Sequence, residues 1–132
     1  MPGQASTVGI GHGLDGISKR GTATTYVALL TAAPTATTTV TTMAELVAAG
    51  YSRQAVAWTV PSGSPRSTSN SNLLTFGPFT ADPAAVSHLA LVTTEAGPSG
   101  DLVWFWTANA VVDAIVNDTI TAQVGALVMQ GS

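Results

Sequence analysis

The stretch that decides the fold runs from residue 86 to residue 107: VSHLALVTT (86–94), EAGPSGD (95–101) and LVWFWT (102–107). Two apolar, β-favouring runs flank a short cluster of Gly, Pro, Ser and Asp. Val, Leu, Trp and Phe suit a pleated, buried surface, and a Gly/Pro-rich gap of this size makes a hairpin-like turn. The pattern predicts Val86–Val92 paired with Leu102–Trp106 at the centre of the core. Successive strand residues point to opposite faces, so Trp104 and Trp106 share one face and Phe105 takes the other. Aromatic rings on both faces mark a strand that is central in a sandwich, or one whose second face meets a partner subunit.

Outward from this hairpin, residues 23–31 (ATTYVALLT) read as the first strand, rich in Tyr, Val and Thr. Residues 32–42 are Thr-rich and read as an extended connection. Met43–Ala49 (MAELVAA) suits either a two-turn helix capped by Thr42 and stopped by Gly50 or an irregular loop. In Gln54–Val60 the larger side chains Gln54, Val56, Trp58 and Val60 alternate with small ones, as in a half-buried strand. Residues 61–72 (PSGSPRSTSNSN) read as a loop, and Leu73–Phe76 as a short strand. Residues 119–130 read as the last strand, with Gly125 a bend or bulge. The expectation is an all-β chain, an antiparallel β-sandwich or jelly roll over 23–132.

Residues 1–22 precede this domain. Gly3, Gly9, Gly11, Gly13, Gly16 and Gly21 punctuate them, and each glycine loses much entropy on ordering. Yet Val8, Ile10, Leu14 and Ile17 are apolar, which a solvated linker does not need. The reading is an extended arm that orders only against another surface, of this subunit, a neighbour or a capsid. Lys19 and Arg20, half of the basic residues, lie in it too.

Composition narrows the function. The chain has 132 residues, no cysteine, 4 Lys+Arg and 7 Asp+Glu, for a formal net charge of -3. Charged residues are 8% of the total, against about 25% in an average soluble domain. Four basic residues cannot build a nucleic-acid footprint. Without cysteine there is no disulfide scaffold, thiol catalysis or Cys-based zinc site. The longest uncharged stretch, 21–44, is Thr-rich and interrupted by Pro34, a poor membrane span. Residues 1–13 lack the basic and apolar regions of a secretory signal. A monomer of this mass exposes roughly 6,500 Å², or about one charge per 600 Å². Surfaces that stay soluble alone carry several times more. Thr, Ser and Asn do part of the solvating, and partners cover the rest.

No motif here carries chemistry. Gly11-His12-Gly13-Leu14-Asp15-Gly16 matches a dinucleotide fingerprint but lacks the flanking strand and helix. His88 has Ser87 beside it, but neighbours on a strand point to opposite faces, so a Ser-His pair is not expected. The acidic residues do not cluster in a calcium-loop or paired-carboxylate spacing, and Asp82, Asp101 and Asp118 sit where turns use Asx chemistry. No metal and no cofactor is expected. The Asn117-Asp118-Thr119 sequon reads as a turn entering the last strand. Trp58, Trp104, Phe105 and Trp106 read as core or subunit-interface aromatics, with a carbohydrate-stacking face as the other reading.

These residues in this order resemble a family of small structural proteins of tailed bacteriophages, chiefly those of actinobacterial hosts. The resemblance rests on Tyr26-Val27-Ala28-Leu29-Leu30 with Ala33-Pro34-Thr35, then Gly50-Tyr51-Ser52-Arg53-Gln54 and Thr75-Phe76-Gly77-Pro78-Phe79. It continues through Val86-Ser87-His88-Leu89-Ala90-Leu91, Gly100-Asp101-Leu102 and Asn117-Asp118-Thr119. It covers roughly residues 23–130. Two departures stand out: Asn117 replaces an expected glycine, and Asp82-Pro83 stands where a Trp-Gly pair is expected. Members carry tail-fibre or minor-tail names and head-decoration (cement) names. The resemblance implies a non-enzymatic virion protein that acts by burying surface in an assembly. As a capsid decoration protein, it would be made in the host cytoplasm, form a homotrimer and bind the major capsid protein on the head surface. The alternative is a minor tail or tail-fibre module that contacts a host glycan through Trp104, Trp106 or the 61–72 loop. A small hydrolase is the third reading, disfavoured by the lack of a convergent His, Asp, Glu and Ser set.

Overall fold

A computed structural model of the chain describes residues 4–5, 24–63 and 67–130. Nine strands follow in order: β1 (Gln4–Ala5), β2 (Thr25–Leu30), β3 (Gln54–Val56), β4 (Ser67–Ser69), β5 (Leu74–Phe76), β6 (Val86–Val92), β7 (Leu102–Val112), β8 (Ile120–Ala122) and β9 (Val128–Gln130). All pairings are antiparallel. A five-stranded sheet has the order β1-β7-β6-β2-β3, and β4-β9 and β5-β8 form two small ladders.

The expected central hairpin is present. Leu89 pairs Trp106, Ala90 pairs Phe105 and Leu91 pairs Trp104. On its other side β6 pairs β2, with Leu29 opposite Leu89, Ala28 opposite Ala90 and Val27 opposite Leu91. Cross-strand rows therefore run through three strands. One face carries Val27, Leu29, Leu89, Leu91, Trp104 and Trp106, and β5, β8, β9 and Leu127 pack on it to form the larger core. The opposite face carries Ala28, Leu30, Ala90, Val92, Leu102 and Phe105, closed by Val40 and Met43 from the 31–45 connection. Burial on both faces is why β2, β6 and β7 read as nearly continuous apolar runs rather than alternating ones. The result is an all-β, antiparallel sandwich.

Several local expectations need correction. The strand expected over Gln54–Val60 ends at Val56, and Val60 is 71% exposed. Of the two forms expected for residues 43–49, the irregular one is found and not the helix. Glu45 makes an isolated bridge to Leu30, and Leu46 N–H donates to Leu29 carbonyl at 2.8 Å. Two turns of helix are too short to hold without tertiary support, and the edge of β2 offers these groups a better partner. Gly50 is required for a different reason than helix termination. Its φ is 90°, and an added Cβ would collide with the Pro78 carbonyl oxygen. The 61–72 stretch is not all loop, since Ser67–Ser69 pairs with Val128–Gln130. The last strand is two strands, β8 and β9, separated by a bend that contains Gly125 at φ 82°.

The Thr-rich connection is ordered by its own hydroxyls. Thr38 Oγ1 accepts from Thr35 N–H at 2.8 Å, and Thr42 Oγ1 accepts from Thr39 N–H at 2.9 Å. These side-chain turns replace a helix or strand with local hydrogen bonds.

Candidate functional site

The aromatic residues of β7 are resolved first. Trp104, Phe105 and Trp106 are all buried, so no ring of the three is open to stack on a sugar. Trp106 donates from Nε1 to the Val128 carbonyl at 3.0 Å and stacks on half-buried Trp58, with ring centroids 6.1 Å apart. Trp58 in turn donates to Thr25 Oγ1 at 3.2 Å. Trp104 Nε1 is buried and has no hydrogen-bond partner among the described residues. The arm residues Val8, Ile10, Leu14, Ile17, Lys19 and Arg20, and His12 of the glycine-rich motif, lie outside the described residues. Of residues 1–22, the described pair Gln4–Ala5 joins the edge of β7 opposite Phe105 and Trp104.

Ser87 and His88 are closer than strand geometry predicts. Ser87 Oγ lies 2.8 Å from His88 Nδ1. The ladder slips here: Val86 pairs Val112, but His88 pairs Thr107. The extra residues of this irregularity, 108–111, lie on β7 opposite Ser87. Among the described residues no carboxylate bonds the imidazole to supply the orienting third group of a nucleophilic site. Among the described residues no three of His, Asp and Glu approach closely enough to hold a metal ion.

The main ionic cluster was not legible as a group in the sequence. Arg53 is 7% exposed. Its Nε donates to Glu45 Oε2 and one Nη to Glu45 Oε1, both at 2.8 Å. The remaining donors reach Thr94 carbonyl at 3.1 Å, Thr94 Oγ1 at 3.2 Å and Gly97 carbonyl at 2.9 Å. All five guanidinium N–H groups are thereby used. Tyr51 donates to Glu45 Oε2 at 2.6 Å and accepts from Leu29 N–H at 3.1 Å. Burial pushes the Glu45 carboxyl up, but bonds from Arg53 and Tyr51 and the Arg53 charge outweigh it and hold the pKa below its ordinary value. Burial and then Glu45 push the Tyr51 hydroxyl well above its ordinary range. The cluster fastens the 93–101 turn to β2 and to the loop that closes the second face. It is a clamp with no free donor for a ligand.

A second buried polar centre is Asn70. It is fully buried, donates to Asn72 carbonyl at 3.0 Å and Gln123 carbonyl at 2.9 Å, and accepts from Leu127 N–H at 2.9 Å. It fixes the β8–β9 bend against the loop before β5.

Among the described residues seven large hydrophobic side chains face solvent, Val60, Leu73 and Val124 apart from the four that follow. Val47, Val111, Ile115 and Val116 are 95%, 65%, 57% and 43% exposed. They gather at one end. Thr80 N–H donates to Ala49 carbonyl at 3.0 Å, and Asn117 N–H to Phe79 carbonyl at 2.7 Å, which draws 47–49, 79–80 and 115–118 together. Asp82 and Asp118 hold this end from their side chains: Asp82 Oδ1 accepts from Val116 N–H at 2.8 Å, and Asp118 Oδ2 from Ile115 N–H at 3.1 Å. Asn117 takes φ 71° in the same turn. That left-handed conformation explains a position where glycine is expected, since Asn tolerates it better than other side chains.

Polar groups that serve the chain's own turns, beside an outward aliphatic end, make up a structural module. The chain matches the family described as Podophage GP4 fiber I protein gp80 over residues 9–130, and it belongs to that family. It is a bacteriophage virion structural protein. No match to a curated protein accompanies this one. Among the described residues, no helix is long and apolar enough to cross a membrane.

Proposed function

We propose that this chain is a non-enzymatic subunit of a phage fibre that assembles with copies of itself. The observation that carries the reading is the outward aliphatic end on a chain with only 8% charged residues, where Val47 alone is 95% exposed. A monomer gains nothing from such a surface, whereas an assembly removes it from water at about 25 cal/mol per Å². The family description supplies the fibre. The buried rings of Trp104 and Trp106 are closed to stacking on a sugar, which leaves the 61–72 loop as the other expected glycan contact; the proposed role is assembly.

Head decoration is the second reading. The observation that favours it is the near absence of charge, 8% of residues, which lets many copies pack without self-repulsion. In that reading a trimer binds the major capsid protein. Gold-labelled antibody on intact particles separates the two. Label on the tail with a handful of copies per particle supports the fibre. Label over the head with hundreds of copies supports decoration. Particles without the protein overturn both.

A further inference from the structure

The aliphatic end is also acidic. Asp82, Asp113 and Asp118 are exposed and share the turns that present Val111, Ile115 and Val116. Among the described residues the only Lys or Arg is Arg53, and it is buried with all five donors engaged. Any occupant of this end must therefore bring both aliphatic side chains and positive charge. The chain itself encodes such a segment. Residues 8–20 hold Val8, Ile10, Leu14 and Ile17 together with Lys19 and Arg20, two of the three basic residues other than Arg53.

We propose that the Val47, Val111, Ile115, Val116 end of one subunit binds the 8–20 segment of a second copy of the chain. The inference rests on the assembly reading and names its partner. A second copy is favoured over the chain's own segment by where the flanks of that segment are held. Gln4–Ala5 is fixed beside Trp104 and Phe105, and Thr25 beside Val56, on the part of the sheet nearer the 93–101 turn. Val111 lies at the opposite end of β7, and Ile115 just past it. Aliphatic contact supplies the affinity, and the carboxylates select the basic segment and its orientation.

The chain has no cysteine, so engineered thiols report without background. Ile17→Cys and Ile115→Cys are made in separate full-length chains with tags of different mass, mixed and mildly oxidised. The expected product is a mixed 17–115 dimer in excess over both like-with-like dimers. Asp113→Lys in the Ile115→Cys chain lowers its yield about two- to fivefold, the size of a surface ion pair. Lys19→Asp in the other chain restores it. Val47→Cys, at a side chain almost fully exposed, replaces Ile115→Cys if that variant folds poorly. Statistical cross-linking, no cross-linking, or an internal cross-link in a chain carrying both cysteines would overturn the proposal. Label on the particle in the presence of a failed cross-link leaves the virion role standing and removes only this contact.

Discussion

Arg53→Ala tests the polar clamp. The substitution removes five hydrogen bonds at once: two to Glu45, two to Thr94 and one to Gly97. The Glu45 carboxylate is left half-buried with only Tyr51 to stabilise it, and the Thr94 and Gly97 carbonyls lose their partner. Breaking a buried pair from one side costs about 3–5 kcal/mol. The Glu45 side chain is 24% exposed, so water recovers part of this, and about 3 kcal/mol is the expected loss. For a chain of this length that lowers Tm by roughly 10 °C. Differential scanning calorimetry measures it, and Arg53→Met, which keeps the stem, separates packing from charge. A pH series sharpens the test. The folded Glu45 pKa is lowered, so its stabilisation is present above the ordinary value of 4.5 and is lost as pH falls through the lower folded value. The difference between wild type and Glu45→Gln should therefore shrink across that acidic window. A Tm change under 2 °C for Arg53→Ala, or a difference independent of pH, would refute the clamp.

Three further predictions concern single side chains. Trp104→Phe removes a buried donor with no partner among the described residues and should cost under about 1 kcal/mol, whereas Trp106→Phe breaks the bond to Val128 and should cost about 2 kcal/mol or more in urea denaturation. Asn70→Ala leaves Leu127 N–H and the Asn72 and Gln123 carbonyls without their partner, so about 3 kcal/mol is expected, with hydrogen exchange accelerating first around residues 123–130. Asn117→Gly should stay within about 0.5 kcal/mol of wild type, while Asn117→Val should lose about 1–2 kcal/mol at φ 71°.

The hairpin of β6 and β7, both faces of β7, the strand at 25–30 and the Gly125 bend were readable because each rests on local pattern. Continuous apolar runs with a Gly/Pro-rich gap leave few alternatives. What escaped reading depends on distant partners. Ser67–Ser69 is polar and short, and it becomes a strand only because Val128–Gln130 lies beside it. Met43–Ala49 has helix-forming composition, but the β2 edge captures its backbone. Arg53, Glu45 and Tyr51 gave a weak signal, three polar residues within nine positions, and only the closure of the loop over the sheet joins them to Thr94 and Gly97. Ser87 and His88 were placed on opposite faces by the strand alternation rule, yet Ser87 Oγ still lies 2.8 Å from His88 Nδ1.

The central claim is that this chain acts as a structural part of the virion by contact with other subunits. The most direct measurement is electron microscopy of purified phage particles with the protein located by gold-labelled antibody, together with its copy number by quantitative mass spectrometry. The account predicts label at a fixed place on every particle, on the tail for the fibre reading, in a number set by symmetry. Particles that lack the protein altogether, with the chain found only free in the lysate, would contradict it.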